Sequence, residues 1–159
     1  MKKKIKEPKV GIGIFIWTYK NTWNNWKFLM GKRKNSLGAG EWGLPGGHLE
    51  FMESWNDCAI REVKEETNID IKDRKIEFLT ATNDIFKKED KHYITIFLQT
   101  TILSPIELIL MEPNKCEEWK WFGSHEVLDD PNINCFIPVK EILKKGYRVW
   151  KRKPQIKRK

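Results

Sequence analysis

Hydrophobic residues fall into short, separate runs along the chain, with polar or glycine-containing segments between them. Runs of this length, rich in branched and aromatic residues, are typical of β-strands. We predict six strands, at Val10–Thr18, Trp26–Gly31, Glu41–Leu44, Lys75–Ala81, Tyr93–Thr101 and Trp119–Phe122. The segment Lys20–Asn25 contains three asparagines and is expected to turn, Phe86–Lys91 to form a charged loop, and Pro45–Gly47 to break the chain.

Two segments have the spacing of helices. Ser54–Thr67 carries apolar residues on one side, Ser54 is its expected N-cap, and Asn68 is the residue at which it stops. Phe136–Lys145 is predicted to form a second helix that ends at Gly146. Strands and helices follow one another without a regular β–α alternation, which favours an α+β fold.

The composition limits the class of protein. With 159 residues, 40% of them hydrophobic, the chain can bury a core, which excludes general disorder. No apolar stretch approaches the roughly 20 residues that span a bilayer, and we interpret the glycine-interrupted run Val10–Trp17 as a strand rather than a signal peptide. The cysteines, Cys58, Cys116 and Cys135, are odd in number and lack metal-ligand spacing, so we expect no disulfides and a cytoplasmic location.

Positive charge is concentrated at the two ends of the chain. The formal net charge is +8 and the sequence pI is about 9.3, and the excess lies in residues 2–6 and 140–159. Such ends can be solvated tails, or they can attract polyanions such as phosphate-rich substrates or RNA. Charge alone does not choose between these two interpretations.

Three glutamates of the first predicted helix indicate a chemical function. Glu62, Glu65 and Glu66 occupy positions i, i+3 and i+4, which lie on one arc of about 100°. Like charges at this spacing repel one another, and a bound Mg²⁺ or Mn²⁺ would relieve the repulsion. The alternative is a solvated acidic face, balanced by Arg61 and Lys64.

The spacing around these glutamates favours the metal site. Gly47 is followed by Glu53, by the segment Arg61–Glu66 and by Ile69. This pattern resembles the Nudix box of the MutT-type hydrolases. One position departs, because the family usually has glycine where this chain has Asn68. Asparagine adopts positive φ more readily than other non-glycine residues, so the departure does not affect the predicted chemistry.

The resemblance extends beyond the box. The run Trp42–Phe51 and the segment Met111–Trp121 are similar to a narrower group, the small cytosolic nucleotide diphosphatases of animals and plants. Coverage is roughly residues 8–147. The resemblance implies that these residues form a single Nudix domain, with a mixed central sheet sandwiched between helices (α/β/α). Residues 1–7 and 148–159 are basic ends outside it.

The resemblance also implies a metal site and its supporting residues. Mg²⁺, or alternatively Mn²⁺, is expected to bind Glu62, Glu65, Glu66 and a backbone carbonyl of Gly46 or Gly47. Glu65 could instead orient water. Glu53 is expected to pair with Arg61 and hold the loop against the helix. Which glutamate deprotonates water varies within the superfamily, so the general base stays unassigned.

Six residues are expected to contact the substrate: Arg33, His48, Thr95, Phe136, Ile137 and Val139. Arg33 suits terminal phosphates, because its planar fork matches phosphate oxygens. His48 follows the metal loop and could contact phosphate or sugar. Arg33 could instead be an exposed loop residue, and His48 could be a loop histidine that bonds only to the backbone. Core packing is an equal alternative for Phe136 and Val139.

Three functions are compatible with these residues. The leading hypothesis is a Mg²⁺-dependent hydrolase that converts nucleoside triphosphates, modified or oxidised deoxynucleotides among them, to a nucleoside monophosphate and pyrophosphate. The second is a hydrolase of prenyl diphosphates, and the third is a protein that binds RNA ends through its basic tails. The complete set of box glutamates disfavours a binding-only protein. The partner is therefore expected to be a small phosphorylated molecule, with a homodimer as a further expectation and no membrane contact.

Overall fold

The described part of the chain, residues 6–19, 26–103 and 106–146 of a computed structural model, contains seven strands and three helices. The strands are β1 (Lys9–Tyr19), β2 (Trp26–Arg33), β3 (Trp42–Gly43), β4 (Gly46–His48), β5 (Glu77–Phe86), β6 (Lys91–Thr101) and β7 (Cys116–Gly123). The helices are α1 (Trp55–Thr67), α2 (Ser124–Asp129) and α3 (Ile137–Lys144). Across the described ranges, no helix combines the length and apolar character needed to cross a membrane.

The described strands form one mixed sheet. Its order is β3-β2-β1-β6-β5, with β4 also paired to β1 and β7 also paired to β2. β1 and β6 run parallel from Lys9 to Trp17 of β1, while every other pairing is antiparallel. This mixed arrangement confirms the predicted α+β class.

The alternation of side chains along β1 divides the core into two layers. Ile12, Ile14 and Ile16 belong to one hydrophobic cluster, whereas Phe15 and Trp17 belong to the other. Buried residues of α1 complete the first cluster, and buried residues of α2 and α3 complete the second. The sheet therefore lies between α1 on one face and α2 with α3 on the other, as the predicted α/β/α sandwich requires.

The β5–β6 hairpin is longer than the sequence indicated. β5 begins at Glu77 and continues past the predicted end at Ala81 to Phe86, so that the connecting loop shrinks to residues 87–90. The polar segment Thr82–Asp84 has low intrinsic strand propensity at its asparagine and aspartate. Pairing with β6 overrides that preference, since Thr82 lies opposite Thr95 and Asp84 opposite Tyr93.

Two short elements were missed. Residues 46–48, expected only to break the chain, form β4 against β1. Gly46 has φ 148°, and a Cβ there would lie 1.9 Å from the carbonyl oxygen of Ile12, so only glycine permits this approach. α2 has six residues, too few for a helical period to show in the sequence. The predicted turn Lys20–Asn25 lies outside the described residues.

The three cysteines are free and buried, which confirms the expectation of no disulfide. Burial raises the pKa of the Cys58 and Cys135 thiols to about 12 and that of Cys116 to about 11. Thiols with such pKa values are almost entirely protonated near neutral pH and behave as core residues.

Candidate active site

Local interactions define both ends of α1. The Ser54 hydroxyl accepts a hydrogen bond from the Asp57 backbone N–H at 3.1 Å, as predicted for an N-cap. Asn68 ends the helix with φ 58°, and its N–H donates to the Lys64 carbonyl at 3.0 Å. Buried Cys58, Ala59 and Val63 then attach one face of α1 to the sheet. The rotation of the helix, and therefore the direction of its glutamates, is set by this packing.

The side chains of Glu62 and Glu66 lie against the two glycines of β4. The Gly46 N–H donates to Oε2 of Glu66 at 3.0 Å. A Cβ on Gly47 would lie 2.2 Å from Oε1 of Glu62, so the absence of a side chain there makes room for the carboxylate. The structure thus brings together two of the three predicted carboxylate ligands and both predicted glycines.

Glu65 is exposed, whereas Glu62 and Glu66 are partly buried. Around the helix axis, Glu62 and Glu66 are about 40° apart, whereas Glu65 is about 100° from Glu66. Its side chain is half exposed and lies 3.6 Å from the Arg61 guanidinium. Among the described residues, no three acidic, histidine or cysteine side chains are grouped closely enough to hold an ion. Glu65 therefore does not join Glu62 and Glu66 at β4, and its role as third ligand or as the group that orients water stays a prediction.

The two gathered carboxylates occupy a poorly hydrated environment. Burial raises the pKa of Glu66 to about 8, against the opposing effect of its hydrogen bond from Gly46. The negative charges of Glu62 and Glu112 raise it further. Burial also raises the pKa of Glu62, with Arg61 acting in the opposite direction. An added cation at this position would stabilise both ionised groups.

Glu112, which the sequence interpretation did not include, is a third carboxylate near the site. Its Oε1 pairs with the Lys115 ammonium at 2.8 Å. Its Oε2 is buried and has no hydrogen-bond partner among the described residues, and its charge acts on Glu66. A buried oxygen without a partner beside buried carboxylates is a further feature that fits a bound cation. No spacing in the box signals Glu112, because it lies far along the chain.

Arg61 connects the loop before α1 to the helix. It forms a two-pronged pair with Glu53, in which Nε donates to Oε1 at 2.8 Å and Nη2 donates to Oε2 at 3.0 Å. It also donates to Oε1 of Glu62 at 2.7 Å and to the His48 carbonyl at 3.2 Å. The expected Glu53–Arg61 pair is confirmed. The hydrogen bond from Arg61 lowers the pKa of Glu53 to about 2, so Glu53 remains ionised.

An aromatic row, defined as Phe136, Phe86 and Tyr93, lies on the other side of the site. Phe136 stacks on Phe86 with ring centroids 5.8 Å apart, and Phe86 contacts Tyr93 edge-on at 6.3 Å. Arg33 lies over Phe136, with its guanidinium carbon 4.8 Å from the ring centroid. His48 stacks on Tyr93 at 5.6 Å. The row therefore connects two predicted substrate residues, Arg33 and His48, through Phe86 and Tyr93, which were not predicted.

A polar cluster lies next to the aromatic row. The hydroxyls of Thr82 and Thr95 both donate to Oδ2 of Asp84, each at 2.7 Å. Thr95 was expected near the substrate, whereas Thr82 and Asp84 were not, because the predicted β5 ended before them. A longer predicted strand would have placed Thr82, Asp84 and Phe86 on one face, since alternate residues of a strand share a face.

Of the two remaining residues predicted to contact the substrate, Val139 lies in the core and Ile137 lies at the surface. Val139 is 2% exposed and packs in the cluster formed with α3. Its placement matches the alternative of a core residue. Ile137, at the start of α3, is 62% exposed. It lies next in the chain to Phe136 of the aromatic row.

A family model, described as the NUDIX domain, matches residues 7–145. The chain belongs to the NUDIX family. Among solved structures, it is 27% identical to a MutT NUDIX hydrolase of Burkholderia pseudomallei, with a TM-score of 0.71 over 87% of this chain and 98% of that one. The expected Nudix resemblance and fold are therefore confirmed. Enzymes of this family use divalent metal ions and act on small phosphorylated molecules.

Curated relatives show more distant similarity. Nudix hydrolase 2 of Arabidopsis thaliana is 28% identical over 132 residues, which cover 80% of this chain and 44% of that protein. A Mycobacterium tuberculosis protein, named provisionally as 8-oxo-dGTP diphosphatase 3, is 29% identical over 94 residues, covering 58% of this chain and 42% of the relative. The chain thus spans less than half the length of these NUDIX relatives.

Proposed function

We propose that this chain is a Mg²⁺-dependent hydrolase of nucleoside triphosphates, formed by a single NUDIX domain over residues 8–147. The reaction adds one water across the anhydride between the α- and β-phosphates, giving a nucleoside monophosphate and pyrophosphate. The observation that carries the proposal is the convergence of Glu62 and Glu66 on Gly46 and Gly47. The M. tuberculosis relative, by its name, makes oxidised deoxynucleotides candidate substrates.

The residues present fit a Mg²⁺ ion. Mg²⁺ is commonly bound by one or two carboxylates together with substrate phosphates rather than by a complete protein cage. Glu62 and Glu66 supply two carboxylates, and the carbonyl of Gly46 or Gly47 supplies a backbone oxygen. Mn²⁺ suits the same oxygen ligands. When bound, the ion supplies charge neutralisation and Lewis acidity toward the phosphate oxygens.

The proposed roles of neighbouring side chains follow from their contacts. Arg33 donates from Nε to the Leu37 carbonyl at 2.7 Å, which orients the guanidinium, and its charge interacts with Glu66. In this orientation it binds terminal phosphates. His48 has its pKa lowered by burial and by two nearby lysines, so near neutral pH it contacts the ligand as a neutral ring. These two residues therefore bind the substrate without serving as metal ligands themselves.

Glu53 acts as a positioning residue. A carboxylate with a pKa of about 2 is a weak proton acceptor near neutral pH. Its two bonds to Arg61 instead hold that arginine against Glu62. Arg61 thereby keeps one proposed metal ligand in position, and the general base is sought among the other acidic groups.

Product identification tests the proposal. Purified protein is incubated with Mg²⁺ and a panel of nucleoside triphosphates, and the products are identified by mass spectrometry and phosphorus NMR. Glu66→Gln should lower pyrophosphate release by roughly 100-fold or more, because it removes the charge of a metal ligand. Glu89→Gln, in the exposed β5–β6 loop, is the matched control and should retain the wild-type rate. Unchanged release by Glu66→Gln would contradict the metal assignment.

A second candidate keeps this site and replaces the nucleotide with a prenyl diphosphate. The stacked rings of Phe136 and Phe86 and the exposed Ile137 favour it, because they offer an apolar surface to a hydrocarbon chain. Geranyl diphosphate and deoxynucleotides at equal concentration separate the two. Preferential hydrolysis of geranyl diphosphate would replace the leading proposal.

Binding of RNA ends remains a prediction. It depends on the basic ends, and residues 1–5 and 147–159 lie outside the described residues. If it is correct, removal of residues 151–159 should abolish RNA binding and flatten its salt dependence.

A further inference from the structure

Asp84 has one oxygen held by the protein and one that the described protein groups leave unbonded. Its Oδ2 accepts the hydroxyl hydrogens of Thr82 and Thr95, each at 2.7 Å. In residues 6–19, 26–103 and 106–146, no group donates to Oδ1. Because both hydroxyls use their hydrogen on Asp84, they orient the carboxylate and offer a ligand only their lone pairs.

The strand registers place this carboxylate on the same face of the sheet as Thr95 and His48. Thr95 lies opposite Thr82 on one side and Gly11 on the other, and Gly11 lies opposite His48. Gly11 has no side chain, and a Cβ added there would find its nearest neighbours only at 3.9 Å. The sheet surface between Thr95 and His48 is therefore open, with Asp84 beyond it.

Asp84 is far from Glu62 and Glu66, the proposed metal ligands. From β5 through β6 and β1 to β4 there are three strand spacings, which amount to roughly 14 Å. Glu62 and Glu66 contact the β4 end. A carboxylate beside phosphates would repel them, whereas at this separation it can meet the organic part of the same substrate.

The aromatic row indicates the shape of that organic part. Phe86 follows Asp84 by two residues on the same face of β5, and Tyr93 lies opposite Asp84 in the sheet. A flat ring stacked against Phe86 or Tyr93 would direct its edge toward the carboxylate. A hydrocarbon chain in the same place would offer that carboxylate oxygen no hydrogen-bond donor, which is unfavourable.

We propose that Asp84 is a specificity-determining residue that accepts hydrogen bonds from adjacent N–H groups on the edge of the substrate's base. The inference rests on the proposed function for the nature of the substrate. A carboxylate only accepts hydrogen bonds, and a base edge with a ring N–H beside an amino group, as in guanine, presents two donors to it. Bases with one donor bind more weakly, and a prenyl chain offers none.

Equilibrium binding tests this without requiring hydrolysis. GMP and IMP differ only in the 2-amino group, and calorimetry can compare their affinities for the full chain. The wild type should bind GMP roughly ten times more tightly than IMP, and Asp84→Asn should reduce the ratio to about two or less. Asp90→Asn, in the exposed loop of the same hairpin, is the matched control and should keep the wild-type ratio. Circular dichroism confirms that each variant is folded.

The possible outcomes separate the two proposals. Equal affinity of the wild type for GMP and IMP, or an unchanged ratio in Asp84→Asn, overturns the role of Asp84. Asp84→Ser, which also removes the carboxylate, takes the place of Asp84→Asn if that variant does not fold. A preference for GMP that depends on Asp84, without hydrolysis of any triphosphate, would support this inference and remove the proposed function. Hydrolysis of triphosphates with no base preference would support the proposed function and overturn the role of Asp84.

Discussion

Arg61 connects three parts of the site through its guanidinium. It holds both oxygens of Glu53, one oxygen of Glu62 and the carbonyl of His48. The bidentate contact with Glu53 is the strongest of these interactions, because two parallel hydrogen bonds between ionised groups fix the geometry of the pair as well as adding electrostatic energy. The loop after β4, the start of α1 and one proposed metal ligand are therefore coupled through a single side chain.

Glu53→Gln should reveal this coupling in the pH dependence of stability. The pKa of Glu53 is lowered from 4.5 to about 2, mainly by Arg61. A lowered pKa means that the pair stabilises the folded state fully above pH 4.5 and loses this effect as the pH falls toward 2. Denaturant unfolding should show Glu53→Gln less stable by roughly 1.5–3 kcal/mol at pH 7.

The difference in free energy of unfolding between the wild type and Glu53→Gln should shrink as the pH falls from 4.5 toward 2. Glu50→Gln, an exposed neighbour in the same loop, serves as the control and should follow the wild type. A gap that stays constant between pH 7 and pH 2.5 would show that the stability loss does not come from the ion pair.

At the scale of elements, the packing of α1 depends on its C-terminal end as much as on its apolar face. Asn68 carries the positive φ at which the family usually has glycine, and Ile69 returns directly to the core. The helix must stop there, because one more helical residue would carry Ile69 away from the cluster that it joins. The left-handed residue therefore controls both the length of α1 and the packing that follows.

Substitution of Asn68 should separate this conformational requirement from side-chain contacts. Asn68→Ala should lower the free energy of unfolding by about 1 kcal/mol, since alanine adopts positive φ at a cost. Asn68→Gly should leave it unchanged or raise it, because glycine has no such cost. Asn56→Ala, at an exposed position in the first turn, is the matched control and should have little effect. Equal effects of alanine and glycine at position 68, measured by denaturant unfolding, would count against this account.

At the scale of the whole molecule, the site joins the layers of the fold. Glu62 and Glu66 come from α1 on one face of the sheet, whereas Phe136 begins α3 on the other. The glycines of β4 lie between them and pair with β1. A substrate that spans the site would therefore contact α1, the sheet and α3 together. The expected homodimer remains a prediction.

Ligand binding should therefore raise the melting temperature of the entire chain. At a ligand concentration about 100 times its dissociation constant, binding adds about 2.7 kcal/mol to stability, or roughly 5–10 °C for a domain of this size. Thermal unfolding with Mg²⁺ and a nucleotide should show this shift in the wild type, and a chelator should remove most of it. Glu66→Gln should show a much smaller shift. An equal shift in both proteins, with or without the chelator, would place ligand binding elsewhere.

Local features of the sequence were sufficient for the two ends of α1 and for its ion pair. Ser54 and Asn68 marked its ends, and the spacing of Glu53 and Arg61 indicated the ion pair that the structure contains. These predictions succeeded because helix caps and positions on a helix depend on residues within a few turns. The metal site that the glutamate spacing indicates stays a prediction. That spacing did not show which carboxylates would reach β4, because the rotation of α1 about its axis depends on packing against the sheet.

The pocket opposite α1 depends on contacts between distant segments. Asp84 and Phe86 join it because β5 pairs with β6 beyond the point where strand propensity fails, and Glu112 reaches the site from a remote loop. A shift of one residue in strand register would turn Asp84 to the opposite face. Register is decided by the total burial across the sheet, which is a non-local quantity. The residues that we propose to bind the organic part of a substrate therefore become visible only in the folded chain.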